Sequence, residues 1–144
     1  FTRLAEYLEE TKSSARQTGY TETLIGRRRH FPGITSSVPF IRAQAERMAI
    51  NAPIQGTAAD CMRIAMIRTH KYIESLKKPD DVRMIMQVHD ELLFEIKDSE
   101  VKKTVPELVN IMENVLTEKE SKGVPLVADV KIGKNWNSME ETKT

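Results

Sequence analysis

The sequence predicts an α+β fold, on three observations. Apolar residues recur at helical spacing over long stretches. Two β-rich runs are each split by a short polar or glycine-bearing joint. The strands on either side of residues 89–91 are joined so tightly that they should pair antiparallel.

Taken in order, residues 2–18 form the first predicted helix. Leu4, Leu8 and Ala15 fall near one face, opposite Glu6, Glu9, Glu10 and Lys12, and Gly19 supplies the left-handed stop. Tyr20 to Ile25 is rich in β-formers, and after Gly26 come Arg27, Arg28, Arg29, His30 and Phe31, ended by Pro32-Gly33. This predicts a β-hairpin with a basic second strand, followed by a loop to residue 39.

From Phe40 to Leu76 the pattern is helical again, with Ile41, Ala45, Met48 and Ala52 spaced by four, three and four. Pro53 and Gly56 predict a break or kink, with a second helix from Thr57 to Leu76. A turn follows at Pro79-Asp80-Asp81. Met84, Ile85, Met86 and Val88 then make one apolar strand, and Leu92, Leu93, Phe94 and Ile96 another. His89, Asp90 and Glu91 lie at the joint.

Val101, Val105, Leu108, Met112 and Val115 mark a third helix ending before Gly123, with Pro106 predicting a kink or a later start. Pro125 to Ile132 reads as a final strand, and the polar residues after Trp136 as a frayed tail. The organisation expected is a single domain over 1–144. Within it, 1–39 hold the helix and basic hairpin, 40–78 the long helices, 79–136 the second hairpin, helix and last strand, and 137–144 the tail.

With 40% hydrophobic and 30% charged residues, the chain has material for a core, which argues against disorder. Cys61 is the only cysteine and reads as a small buried hydrophobe; with no disulfide or Cys-based metal spacing available, a reducing, cytoplasmic setting is expected. No apolar run approaches the roughly 18 residues that span a bilayer. The chain opens at Phe1, already inside a helical pattern, as an excised piece would. The net charge of +1 hides an asymmetry. Residues 1–78 carry 13 Lys/Arg and 7 Asp/Glu, and residues 79–144 carry 9 and 14, so the first half is the one suited to a polyanion.

Two sets of residues carry candidate chemistry. Asp90 and Glu91 are adjacent carboxylates at a tight turn, and Mg²⁺ takes one or two carboxylates with water and phosphate oxygens in its other positions. Asp and Glu are also ordinary turn residues, so spacing alone leaves both readings open. His89 could bond a sugar or phosphate, or a backbone group of its own turn. Arg47, Asn51 and Gln55 are spaced i, i+4, i+8, which places a guanidinium and two amides on one helix face, near Arg42 and Asp60 on the same segment. Amides donate and accept, which suits base edges and sugar oxygens; a polar surface stripe is the plainer reading. The arginines at 27–29 could contact phosphates or simply be solvated.

These residues carry a resemblance. The run from Arg47 through Asn51 and Gln55 to Asp60 is similar to the helix of family A DNA polymerases that runs along the primer–template. Met84 to Leu92, with Gln87, His89, Asp90 and Glu91, resembles motif C of that family's palm. Gly19-Tyr20, Glu22-Thr23-Leu24, Gly26 to Arg29, and Gly133 with Trp136 fit the same family, so the resemblance covers nearly the whole chain.

It implies a palm fragment whose antiparallel hairpin carries a catalytic acid, packed on long helices, within a DNA-directed DNA polymerase that takes deoxynucleoside triphosphates. Asp90 would be one of two aspartates holding the catalytic Mg²⁺ pair, with Glu91 supporting. His89 would lie near the primer terminus. Arg47, Asn51 and Gln55 would contact primer and template in the minor groove, and Arg29 the primer strand or its end.

Two departures qualify the resemblance. Pro106 falls where the family has a plain helix. The family's other metal aspartate and its Lys/Arg-rich nucleotide-binding helix would lie upstream of Phe1, so these residues alone are expected to be inactive. Two other readings stand beside this one. The chain could be a nucleic-acid-binding module using residues 27–55 without chemistry, or a domain that only folds. Apolar surface and an open strand edge would also favour self-association of the excised chain.

Overall fold

The computed structural model describes residues 1–142, in two compact units, Phe1–Asp60 and Cys61–Thr144. Helices and small antiparallel hairpins make an α+β architecture, as the sequence predicts.

The first unit opens with α1, Thr2–Thr18, which ends where the glycine requires. Gly19 adopts φ 80°, and its N–H donates to the Ala15 carbonyl at 2.8 Å. The expected hairpin follows with shorter strands, β1 (Tyr20–Glu22) and β2 (Arg28–His30). Thr21 pairs with Arg29, Tyr20 with His30 and Glu22 with Arg28. The strands end early because residues 23–27 close on themselves: Gly26 N–H donates to Thr23 O, and Thr23 N–H to Arg27 O, both at 2.9 Å.

The core of this unit is Ala15 from α1, Phe31 and Ile34 from beyond the hairpin, and Ala45, Ala49 and Ala52 from the next helix. Four alanines let backbones approach closely, and Phe31 fills the remaining volume. Gly33 belongs to the same economy of space, since a Cβ there would lie 2.8 Å from Ile41 Cγ2. Arg16 also reaches from α1 to Glu46, with Nε at 3.1 Å and Nη2 at 2.6 Å from one carboxylate oxygen.

The second helix, α2, runs unbroken from Pro39 to Ser75, with Pro53 inside it. The expected division near residues 53–56, with a new helix at Thr57, does not occur. A proline removes one N–H donor from the ladder. Here buried residues hold the helix on both sides of that gap, Ala45, Ala49 and Ala52 before it and Ala65, Thr69 and Ile73 after it. The Thr57 hydroxyl, one turn on, donates to Pro53 O at 2.6 Å. Tertiary burial outweighs the local cost.

In the second unit, β3 (Val82–Val88) and β4 (Glu91–Ile96) form the expected antiparallel hairpin. Its register shifts between Met84 and Met86, so Ile85 is the extra residue of a bulge. The next helix, α3 (Val101–Glu113), starts at Val101 despite Pro106. Pro106 is exposed at the sixth position of the helix, where it removes one donor from the ladder, while Thr104 and Leu108 are buried on either side of it. This helix is shorter than its periodicity suggests. A separate turn of helix, α4 (Glu118–Ser121), follows behind a capping box of Thr117 and Glu120. The hydrogen bonds from Thr117 lower the Glu120 pKa.

The last strand is the largest correction. Only Lys131–Ile132 (β5) pairs, and its partner is Glu140–Glu141 (β6), in the segment expected to fray. Trp136–Ser138 forms a 3₁₀ turn between them. Residues 124–130 have the composition of a strand but join no ladder among the described residues; Val130 O accepts from Thr142 N–H at 2.9 Å, and Val124 and Val127 are exposed. Lys143 and Thr144, in the expected tail, lie outside the described residues.

Thr69 on α2 is fully buried, yet its hydroxyl has no hydrogen-bond partner among the described residues. A buried hydroxyl without a partner costs more than a methyl in the same place. Thr69→Val is therefore expected to raise stability by about 1 kcal/mol in urea unfolding. A loss of stability would show that the hydroxyl is satisfied in solution.

Candidate functional site

The tip of the second hairpin is built by a two-residue turn. Val88 pairs with Glu91 as the last rung, leaving His89 and Asp90 to reverse the chain. His89 has φ 53°, the left-handed conformation such a turn needs at its first central residue. Its carbonyl accepts a hydrogen bond from Gln87 Nε2 at 2.8 Å. His89, Asp90 and Glu91 are all exposed. Thus the three tip residues named from sequence come together on a rigid base, with two carboxylates in successive positions.

This donor set suits a hard cation. Exposed carboxylate oxygens match Mg²⁺, which completes its shell with water and phosphate oxygens. Asp90 is the residue that would ligate it, with Glu91 beside. Among the described residues no three His, Cys, Asp or Glu side chains converge as a metal cage.

The remaining candidates lie in the first unit. Arg47, Asn51 and Gln55 are exposed on α2, one helical turn apart, opposite the buried Ala45, Ala49 and Ala52. The face read from spacing is therefore present, and it is solvent-facing.

The hairpin sorts the three arginines by strand alternation. Arg28 shares a face with Tyr20, Glu22 and His30. It donates to Glu22 Oε1 at 2.5 Å, and its guanidinium lies 4.6 Å from the Tyr20 ring centre. The hydrogen bond to Glu22 raises its pKa beyond the ordinary value. Arg29 is on the opposite face with Thr21. Its side-chain contacts are soft ones, Nη2 to Met48 Sδ at 3.9 Å and the guanidinium 5.6 Å from the Phe31 ring centre. Such contacts steer the side chain while leaving its charge available.

Arg27 is the residue whose role the sequence did not reveal. Its Nε donates to Asp60 Oδ1 at 2.7 Å and its Nη2 to the Gly56 carbonyl at 3.1 Å. The available signal was the acid Asp60, set among alanines on a helix and separated from an arginine run. Arg27, Arg29, Gln55 and Gly56, with the buried Thr21 and Thr23, border a recess of about 190 Å³. It brings together Arg29 and Gln55, two residues named separately from sequence. Guanidinium, amide and hydroxyl groups there can engage phosphate oxygens or base and sugar edges. Arg42 does something else: its Nη1 donates to Ser36 O at 3.2 Å and braces the loop before α2.

Comparisons with known proteins identify the family. The model of DNA polymerase family A matches residues 1–138. DNA polymerase I of Rhizobium leguminosarum is 46% identical over 137 residues, covering 95% of this chain and 14% of the relative. The thermostable DNA polymerase I of Thermus aquaticus is 38% identical over 141 residues, covering 98% of this chain and 16% of the relative. A solved structure described as the POL domain of Pol1 from M. smegmatis, in complex with DNA primer-template and dNTP, superposes with a TM-score of 0.73. It is 41% identical and covers 78% of this chain and 20% of that one. The chain thus spans about a sixth or less of the curated relatives' length, while the match runs through nearly all of its own. It belongs to DNA polymerase family A.

Proposed function

We propose that the chain forms part of a DNA-directed DNA polymerase that adds deoxynucleotides to a primer 3′ end. In this reading it holds the primer–template and contributes one metal-binding carboxylate. The observation that carries the reading is the hairpin tip, where a two-residue turn presents Asp90 and Glu91 to solvent. An exposed acid pair repels DNA unless a cation stands between them, so a pure DNA-binding module gains nothing from it. The solved neighbour's description, which includes primer-template and dNTP, supports the same partners here.

The residues divide the work. Arg29, Arg47, Asn51 and Gln55 bind and orient the duplex. The amides meet minor-groove acceptors, which are alike in all correct pairs, so they sense pair shape without reading sequence. His89 lies beside the primer terminus. Asp90 would hold Mg²⁺, with Glu91 supporting it, and the metal would supply charge stabilisation at the attacking 3′-hydroxyl and the leaving pyrophosphate. The role served is DNA replication and repair, in the bacterial cytoplasm at the nucleoid.

Phosphoryl transfer of this kind rests on positioning and charge stabilisation. The tip supplies two carboxylates and no complete cage. Primer extension with Mg²⁺ or Mn²⁺ is the test: the full-length polymerase extends, and these 144 residues alone do not. Templated incorporation by the isolated chain would overturn the division of the centre. A full-length protein that binds primer–template but never extends it would overturn the enzyme reading. Among the described residues no third strand pairs with β3 or β4, and Ile85 is exposed, which favours self-association.

A further inference from the structure

The turn between β1 and β2 is fastened to α2 by a set of contacts that converge on residues 53–60. Arg27 donates to Asp60 and to the Gly56 carbonyl. Leu24 N–H donates to Thr57 Oγ1 at 2.9 Å, and that hydroxyl in turn donates to Pro53 O. The Arg27 backbone N–H is held by Thr23 Oγ1 at 3.1 Å. Gly56 lets the turn come close, since a Cβ there would lie 2.6 Å from Thr23 Cγ2 and 3.3 Å from Arg27 Nη2. The fastened segment contains Gln55, and the fastened turn leads directly into Arg29.

We propose that Arg27 and Asp60 form a clasp that sets the position of Gln55 against Arg29, making Arg27 a positioning residue and not a DNA ligand. The inference rests on the polymerase reading of the Arg47–Gln55 face. Three features support it. The Asp60 side chain is 11% exposed, so its charge is largely removed from water, and Arg27 meets it through a short hydrogen bond. Two of the Arg27 guanidinium nitrogens are turned toward the helix, which leaves Arg29 as the arginine of the run free to face a ligand. Both halves of the clasp border the same recess as Gln55 and Arg29, or lie one helical turn from it.

The clasp acts through Gln55, so its loss and the loss of Gln55 should not add. In the full-length polymerase, Arg27→Ala, Asp60→Asn and Gln55→Ala are compared singly and in pairs. The readouts are single-turnover extension of matched and mismatched primer ends, primer–template affinity across a salt series, and thermal unfolding. Arg27→Lys, which keeps the charge but cannot meet both acceptors with a planar fork, gives a milder variant should the alanine enzyme fail to fold.

The expected result is that Arg27→Ala and Asp60→Asn each slow matched extension about tenfold, as small misplacements of binding groups do. Each should narrow the matched-to-mismatched ratio, and adding either to Gln55→Ala should change little further. The salt dependence of affinity should stay unchanged for Arg27→Ala, and fall by about one counterion for Arg29→Ala.

Additive losses in the double variants, or a lower salt slope for Arg27→Ala, would overturn the proposal and make Arg27 a structural residue or a phosphate ligand. If Gln55→Ala extended normally with full discrimination, the polymerase reading of this helix face would fall, and the proposal with it.

Discussion

Asp90→Asn is expected to cut primer extension by the full-length polymerase about a thousandfold or more, with primer–template affinity retained. The swap keeps the side-chain shape and removes the charge that binds a cation. The fold should not register it. Asp90 is exposed at the hairpin tip, and no ion pair engages it among the described residues. Asn is also well suited to a turn. Substitutions at such positions usually stay within about 0.5 kcal/mol of the original stability. The loss should therefore fall on the chemical step, and single-turnover kinetics beside thermal unfolding would separate the two. Near-normal extension would make Asp90 a turn residue only, and the likeness to family A polymerases would then describe the fold without its chemistry.

Phe31→Ala should have the largest effect on stability, about 3–5 kcal/mol for the first unit. Phe31 is 2% exposed, and its companions in the core are four alanines and Ile34. Apart from Ile34 these core companions are too short to fill the space an aromatic ring would leave, so most of the cavity would persist. The ring is also where the Arg29 guanidinium rests, 5.6 Å from its centre. The variant should lose DNA affinity as well as stability. Chemical unfolding followed by near-ultraviolet and far-ultraviolet signals would measure the first effect, and anisotropy of labelled primer–template the second. A loss under about 1 kcal/mol would mean that the alanine helices close over the gap.

Local signals were legible in the sequence. Gly19 ends α1 where a left-handed cap was expected, and the strand alternation around His89 and Asp90 gave the hairpin and its tip. The i, i+4, i+8 spacing of Arg47, Asn51 and Gln55 gave a real, exposed face. What escaped was non-local. Pro53 reads as a break because the local rule counts a lost donor, whereas burial of alanines and Thr69 on either side of it keeps α2 whole. Pro125 to Ile132 reads as a strand because composition says so, but a strand needs a neighbour along its length, and among the described residues only its end, from Val130 O to Ile132, finds one. Arg27 and Asp60 are 33 positions apart, and no spacing rule joins them.

The two-residue turn at His89-Asp90 also bears on how such a chain can vary over time. Because Val88 and Glu91 already pair across it, the loop has no slack. One inserted or deleted residue would shift the register of β4, and every side chain on that strand would move to the opposite face. The tip can therefore drift by exchanging one amino acid for another, but its length is frozen. In related chains, changes in loop length should gather at other bends, such as residues 114–124, and bypass this one.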